Sequence, residues 1–557
     1  MKTWKTNLEE TKQRYINWWN HKGIILSMWE HFQEGVKPHA DIAPPAPARD
    51  LSQKWFDPQW RAEYLDWYVA HSSLMADMLP VANTQLGPGS LAAILGGVFE
   101  GGEDTIWIHP DPNFNDEIVF NPEHPNWLLH KELLKACKAK ANGNYFVGMP
   151  DLMEGLDVLA ALKGTDMVLL DTVMQPEVLE QQMQQINDIY FKVFDELYDI
   201  IREGDEMAFC YFSSWAPGKM SKLQSDISTM ISQDDYRRFV QPFIREQCQK
   251  IDYTLYHLDG VGAMHHLPAL LEIEELNAIQ WTPGVGEPQG GSPKWYDLYK
   301  KILAGGKSVM ACWVTLEELK PLLDHIGADG VHLEMDFHNE REVEQAMRII
   351  EEYTGSSSSV SADVHTNQPV GEQDNAQESI RIREEKSQEE DRLKPLYDAI
   401  VAGKLEPAVE VTKDAIAAGV LPQDIINGYM ITAMGEVGQR FQDGKAFVPQ
   451  LLMAGRAMKG ALELLKPLLA GNASATIGKI VIGTVKGDLH DIGKNLVASM
   501  LEGCGFEVIN IGIDVTCDKF VEAVKENKAD ILCMSALLTT TMTYMQDVIR
   551  ALEEERP

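Results

Sequence analysis

The 557-residue chain is short of basic residues, with 49 Lys and Arg against 84 Asp and Glu and a formal charge of −35. A nucleic-acid backbone or an anionic membrane needs a basic footprint, so neither is expected as a partner. Cysteine is sparse and scattered. The seven residues, Cys137, Cys210, Cys248, Cys312, Cys504, Cys517 and Cys533, are odd in number and form no C-x-x-C pair, which excludes a disulfide framework and fits a reducing compartment. No window approaches the ~18 consecutive apolar residues of a membrane span. The opening MKTWKTNLEETKQRYINWW has no apolar signal core. A cytoplasmic protein is expected.

What is present divides unevenly. Thr354–Ser379, TGSSSSVSADVHTNQPVGEQDNAQES, is nearly free of large apolar residues and cannot bury a face. It reads as a flexible linker (354–379) between a body (1–353) and a tail. In the body, apolar and often β-branched runs alternate with amphipathic stretches. The strand candidates are Ile24–Trp29, Met78–Asn83, Asn144–Met149, Met207–Phe212, Tyr253–Leu258, Ala278–Thr282, Ser308–Trp313 and Gly330–Met335. Such alternation implies parallel strands with helical crossovers, and the number predicts an α/β fold of the (β/α)8 TIM-barrel type.

The tail changes period partway. Residues 380–470 carry helical patterning broken at Gly419, Asp443-Gly444 and Pro467, which predicts a bundle of about four helices. From 476 to 557, IGKIVIGTV, FEVINIG and ILCMSALL alternate with helices, which predicts a doubly wound, Rossmann- or flavodoxin-like parallel sheet. The loop after its first strand, GTVKGDLHDIGKN, contains Asp488-x-His490-x-x-Gly493, and Ser535-x-Leu537-x-Thr539 ends the third strand. Both lie at the carboxyl edge, where open α/β sheets bind ligands.

On the D-x-H-x-x-G loop and the helical phrase GQRFQDGKAFVPQLLMAGRAMKGAL, the tail resembles the cobalamin-binding module of methionine synthase and of the corrinoid proteins of methyltransferase systems. The resemblance implies a cobalamin-type corrinoid with His490 as lower axial ligand to cobalt. Neutral imidazole suits that metal, and a carboxylate on its other nitrogen fixes the tautomer and tunes basicity. Asp488 would be that carboxylate and Ser535 would extend the chain. Gly493 would let the backbone approach the cofactor, with Leu537 and Thr539 along the channel for its nucleotide tail. The family continues into a fourth strand with a Gly-Gly pair, whereas this sequence stops at Ala551–Pro557. A module incomplete at its C-terminus, with weakened or lost corrinoid binding, is the expectation.

The body resembles the uroporphyrinogen decarboxylase superfamily, which includes corrinoid methyltransferases, on LAALKGTDMVLLDTVMQPEVLEQQM, SDISTMISQDDYRRFVQPFIREQCQKI and YHLDG. The decarboxylase clamps a polycarboxylate through an arginine-bearing N-terminal loop, but ILSMWEHFQEG has no arginine. The methyltransferase branch holds zinc with His-x-Cys and a later Cys. Here the corresponding segments are His257-Leu258-Asp259 and His332-Leu333-Glu334, with carboxylates in place of thiolates. That set suits a thiol acceptor poorly; it suits zinc or another divalent ion at His257, Asp259 and Glu334, or acid–base catalysis by them. Barrel active sites lie at the C-terminal strand ends. Those ends also offer Glu30, Asn83, Gln85, Asp151 and Cys312, with Trp29, Tyr211, Trp215, Trp281, Trp313 and His332 as substrate-lining candidates. Aromatic walls fit an aryl methyl ether or a methylammonium.

Together these features predict a fused corrinoid-dependent methyltransferase. It would move a methyl group from a small O- or N-methylated donor to cobalt; the layout also resembles fused proteins of chloromethane utilisation, which adds a halomethane. Expected partners are a second methyltransferase passing the methyl to tetrahydrofolate or a thiol, and a reductive activase. The alternatives are a corrinoid carrier or sensor without catalysis, and a zinc-dependent methylcorrinoid:thiol methyltransferase.

Overall fold

The structure is a computed structural model. It describes residues 3–102, 105–111, 114–284, 286–354, 387–469, 478–488, 492–503, 506–536 and 541–554. The chain separates into two compact units, Met1–Ser356 and Ser357–Pro557. Beyond Thr354, the segment expected as a linker lies outside the described residues.

The first unit is built on nine parallel strands: β1 (Ile24–Ser27), β2 (Val81–Ala82), β3 (Phe146–Met149), β4 (Met207–Phe209), β5 (Met220–Leu223), β6 (Tyr253–Asp259), β7 (Ala278–Thr282), β8 (Ser308–Val314) and β9 (Val331–Met335). They form two arcs, β1-β9-β8-β7-β6-β5 and β2-β3-β4. The Asp77 N–H donates to the Leu26 carbonyl at 2.9 Å, tying β1 to the segment that leads into β2. Residues 207–223 fill the fourth position of the ring: β4 pairs with β3, and β5 pairs with β6. This is the (β/α)8 arrangement with one position split. The sequence reading missed β5, because Ser221 and Lys222 look like loop residues. Both are buried against internal partners instead, Ser221 on the Tyr190 hydroxyl at 2.6 Å and Lys222 on Asp151.

A helix at Leu8–Trp19 closes the N-terminal end of the strands. Its Trp18 indole N–H donates to the Val309 carbonyl (3.3 Å) and its Trp19 indole N–H to the Trp215 carbonyl (3.0 Å). Tyr15 and Trp18 are fully buried there. With one end sealed by large rings, the opposite end is left for chemistry.

In the second unit, helices at Ser387–Val401, Leu405–Ala417, Ile431–Gln442 and Val448–Leu469 pack around Leu396, Ile400, Met430, Ala433 and Met458. Gly460 sets the closeness of two of them, since a Cβ there would stand 2.3 Å from Leu405 Cδ1. The sheet that follows has β10 (Lys479–Thr484) between β11 (Glu507–Asn510) and β12 (Ile531–Ser535), all parallel. Sequence order 2-1-3 places the carboxyl ends of β10 and β12 side by side, where doubly wound sheets bind ligands.

Candidate functional site

In the second unit the site is the turn after β10. Gly487 sits at φ +82°, the left-handed region that favours glycine, and delivers Asp488 beneath the sheet edge. Asp488 is wholly buried and accepts a hydrogen bond at 2.8 Å from the Thr541 hydroxyl. The Gly487 N–H donates to Asp514 Oδ1 (2.8 Å), and the Asp514 N–H donates to the Asp488 carbonyl (3.2 Å). A buried carboxylate two residues from His490, held by a hydroxyl donor, has the make-up of an outer partner for a metal-bound imidazole. Gly493 lies in the first turn of the helix Ile492–Gly503. His490, Leu537 and Thr539 lie outside the described residues. One assignment changes: the hydroxyl on Asp488 comes from Thr541, six residues after Ser535. Ser535 instead accepts the Val485 N–H through its carbonyl, at 3.0 Å. Spacing alone does not show that Thr541 meets Asp488.

In the first unit, side chains alternate along each strand, and the alternation sorts the remaining candidates. His257 (β6), Gln280 and Thr282 (β7), Cys312 (β8) and Glu334 (β9) are joined in one hydrogen-bonded chain that crosses adjacent strands. Gln280 Nε2 donates to Thr282 Oγ1 (2.7 Å) and Cys312 Sγ (3.0 Å), and the Cys312 thiol donates to Glu334 Oε2 at 2.9 Å. Since its nitrogen is used, Gln280 Oε1 accepts from His257 Nδ1, which fixes the proton there. Nε2 is left with its lone pair on the side of Asp259 Oδ2, 3.9 Å away. Burial, aided by Lys222, pushes the imidazole down to about 3, so it is neutral at physiological pH. Burial pushes the Glu334 carboxyl up to about 8, so it carries a proton there.

Glu334 does not join His257 and Asp259. Among the described residues, the group able to surround a metal ion is Asp226, His257 and Asp259, whose ligand atoms lie within 4.8 Å of one another. Asp226 reaches solvent yet sits low in the mouth. Desolvation first, then the Asp157 and Asp259 carboxylates, raises its carboxyl well above the usual range. Behind it Lys222 Nζ pairs with Asp151 Oδ2 at 2.6 Å, both shielded from solvent. Glu154 accepts the Gln224 N–H, and Asp157 accepts those of Asp226 and Ile227. Burial raises Glu154 well above its ordinary range and Asp157 to about 6.

The aromatic candidates divide. Trp29, Tyr211 and Trp313 gather at the mouth with Phe212, which lies 5.9 Å from the His257 ring. Trp215, Trp281 and His332 do not line it. Trp215 lies on a short antiparallel strand against Tyr15, 6.4 Å between centroids, at the sealed end. Trp281 points outward to Trp295 (5.1 Å) in the helix layer. His332 is one layer below Glu334, bonded to Ser27 Oγ at 2.6 Å and flanked by Tyr15 and Trp18. Sequence reasoning passed over Thr541, Gln280, Phe212, Asp226, Lys222, Glu154 and Asp157. Strict alternation from Thr282 was a usable signal for Gln280.

Comparison with known proteins bears on the tail. B12 binding domain models match residues 392–466 and 478–557. Dimethylamine corrinoid protein 3 of Methanosarcina acetivorans is 43% identical over 163 residues, 29% of this chain and 76% of that protein. The solved methanol:cobalamin methyltransferase complex of Methanosarcina barkeri is 33% identical, covering 32% of this chain and 71% of its own, with a TM-score of 0.28. A solved methyltransferase from Methanosarcina mazei, 10% identical with a TM-score of 0.42, covers 62% of this chain and 99% of its own. No described helix is long and apolar enough to cross a membrane. With two B12 binding domains in series and three quarters of a corrinoid protein covered, this chain belongs to the corrinoid protein family.

Proposed function

We propose that this chain is a corrinoid-dependent methyltransferase that takes a methyl group from a small O- or N-methylated donor in its barrel. The observation that carries the reading is the pairing, in one polypeptide, of a B12 binding tail with a barrel mouth rich in perturbed titratable groups. A carrier or sensor without catalysis would have no use for a neutral, tautomer-fixed histidine linked through Gln280 and Cys312 to a protonated glutamate. The corrinoid, when bound, supplies a low-valent cobalt nucleophile for the methyl carbon. His490 would hold the corrinoid's metal, and Asp488, held by the Thr541 hydroxyl, would fix its tautomer and set its basicity. In the barrel, the half-buried rings of Trp29, Tyr211 and Trp313 bind the donor and exclude water. His257 Nε2, Asp259 and Asp226 face the leaving atom, and Glu334 holds the proton that atom takes up. The same triad, one neutral imidazole and two carboxylates, fits zinc or another divalent ion, which would polarise the leaving atom.

The partners the reading calls for are a second methyltransferase, which would pass the methyl group to tetrahydrofolate or a thiol, and a reductive activase. The test loads the full chain with corrinoid, reduces it and adds methyl donors singly. Demethylated product is quantified while the corrinoid absorption is followed. Stoichiometric product with a matching spectral change is expected for at least one donor. Spectral silence across ethers, amines and halomethanes, with corrinoid demonstrably bound, would leave the carrier reading.

A further inference from the structure

The hydrogen-bonded chain from His257 to Glu334 has a direction, and the direction decides what His257 can do. Two of its members are ambivalent: a neutral imidazole can carry its proton on either nitrogen, and the Thr282 hydroxyl can donate or accept. The Gln280 amide has nearly the same shape either way round. The selection is made at Cys312. Its thiol is wholly buried and touches two groups, Glu334 Oε2 at 2.9 Å and the Gln280 amide at 3.0 Å. With a single hydrogen it can donate to only one of them, and it donates to Glu334. Sγ is left as an acceptor, which calls for an N–H from Gln280. Both Gln280 N–H groups then have acceptors, Cys312 Sγ and Thr282 Oγ1. The opposite orientation would turn the amide nitrogen toward His257 and deprive a wholly buried N–H of one of these acceptors.

The backbone holds Cys312 in place for this. Cys312 and Trp313 of β8 stand together opposite Glu334, because the β8–β9 register shifts between Ala311 and Val314. Bulges of this kind aim side chains next to active sites. The Gly290 N–H donates to the Cys312 carbonyl at 3.0 Å, and a Cβ on Gly290 would stand 2.3 Å from that oxygen, so glycine is what lets the loop pin the bulge there. Burial first, then Glu334, pushes the thiol well above its ordinary range, so it keeps its hydrogen.

We propose that Cys312 is a positioning residue: anchored on Glu334, it orients the Gln280 amide, and the amide keeps the His257 proton on Nδ1 and the Nε2 lone pair free for the mouth. The role rests on the demethylase reading above only for the use of that lone pair, as base or metal ligand, which an Nε2–H could not serve. The orientation itself needs neither donor nor corrinoid.

The test is heteronuclear NMR of the imidazole nitrogens in the chelator-treated full chain with isotope-labelled histidine, since the two ring nitrogens differ in shift according to which holds the proton. His257 is assigned by the signals lost in His257→Asn. His332, bonded to Ser27 one layer below, is assigned in the same way and serves as internal reference. Wild-type His257 is expected to be protonated at Nδ1. Cys312→Ala is expected to move the tautomer balance toward Nε2–H by about three- to tenfold, as for the loss of one buried hydrogen bond. Cys312→Ser is expected to restore the balance, with His332 unmoved in both. If Cys312→Ala does not fold, Gln280→Met breaks the same chain one link nearer and is expected to move the balance at least as far. A wild-type ring protonated at Nε2, a His257 balance that ignores Cys312 and Gln280, or a change that His332 shares equally overturns the proposal. The two readings fail separately: a tautomer that follows Cys312 in a chain that demethylates no donor sinks the demethylase reading alone.

Discussion

Glu334 couples the stability of the barrel to pH. Burial first, opposed by the Cys312 hydrogen bond and helped by Asp336, moves its carboxyl from the ordinary 4.5 to about 8. Between those values the folded chain holds a proton that the unfolded chain has released. Folding stability from this group is therefore full at low pH and is lost as pH rises through the window. At about 1.36 kcal/mol per pH unit, the interval from 4.5 to about 8 amounts to about 5 kcal/mol. Glu334→Gln keeps the shape and an acceptor for Cys312 but cannot ionise. In urea unfolding followed by tryptophan fluorescence, which reports the first unit alone, the variant should match the wild type within about 1 kcal/mol near pH 5. It should become more stable than wild type by several kcal/mol at pH 8.5. Donor demethylation should move the other way, slowed by about 10²-fold or more in the variant and falling in the wild type above about pH 8. Parallel stability profiles for the two proteins across this range would refute the buried-acid account of Glu334.

Three further outcomes follow from other parts of the molecule. Lys222→Met strands the Asp151 carboxylate in the core and should destabilise the barrel by roughly 3–5 kcal/mol, partly recovered in Lys222→Met/Asp151→Leu; no recovery in the double variant would show that the pair is not the cause. Asp488→Asn should weaken corrinoid binding by about 10–100-fold in equilibrium dialysis, with a smaller loss for Thr541→Val and almost none for Ser535→Ala, and the reverse order of the last two would return the hydroxyl to Ser535. If a divalent ion works at Asp226, His257 and Asp259, chelation should abolish demethylation and zinc should restore it, with one equivalent per chain by elemental analysis; unchanged turnover after chelation leaves acid–base chemistry alone.

How far the fold and site were legible follows from how local each signal is. Strand runs such as Ala278–Thr282 emerge where apolar content and alternation predict them, because the first four residues of that run are buried whichever face they take. The corrinoid loop was legible because a D-x-H-x-x-G turn is a contiguous device. The faces of the barrel strands were harder. Trp281 and Gln280 are neighbours, yet one faces helices and the other the interior, and only the register with His257 and Cys312 decides which. Asp226, Lys222 and Glu154 were invisible for a different reason. Each is an ordinary polar residue in sequence, and becomes unusual only through partners some 70 residues away: Lys222 on Asp151, Gln224 on Glu154, and Asp226 on Asp157. Trp215 misled because strand-end position was read as mouth position, while the chain had already doubled back to the sealed end.

The two ends of the barrel differ in how they treat buried polar groups, and that difference carries the functional argument. At the sealed end, Trp18 and Trp19 donate to carbonyls and His332 meets Ser27, with His332 Nδ1 and Trp215 Nε1 left unpartnered. At the mouth the mismatch extends to carboxyls. Carboxyls are pushed up at Glu154, Asp157, Asp226, Asp259 and Glu334, His257 is pushed down, and two bulky residues take left-handed backbone. Each such feature costs on the order of 1–3 kcal/mol against a net stability of about 5–15. A core built for stability alone would replace these groups with apolar ones. Their concentration at one end follows if a bound donor or divalent ion, which the unfolded chain does not hold, offsets the mismatch.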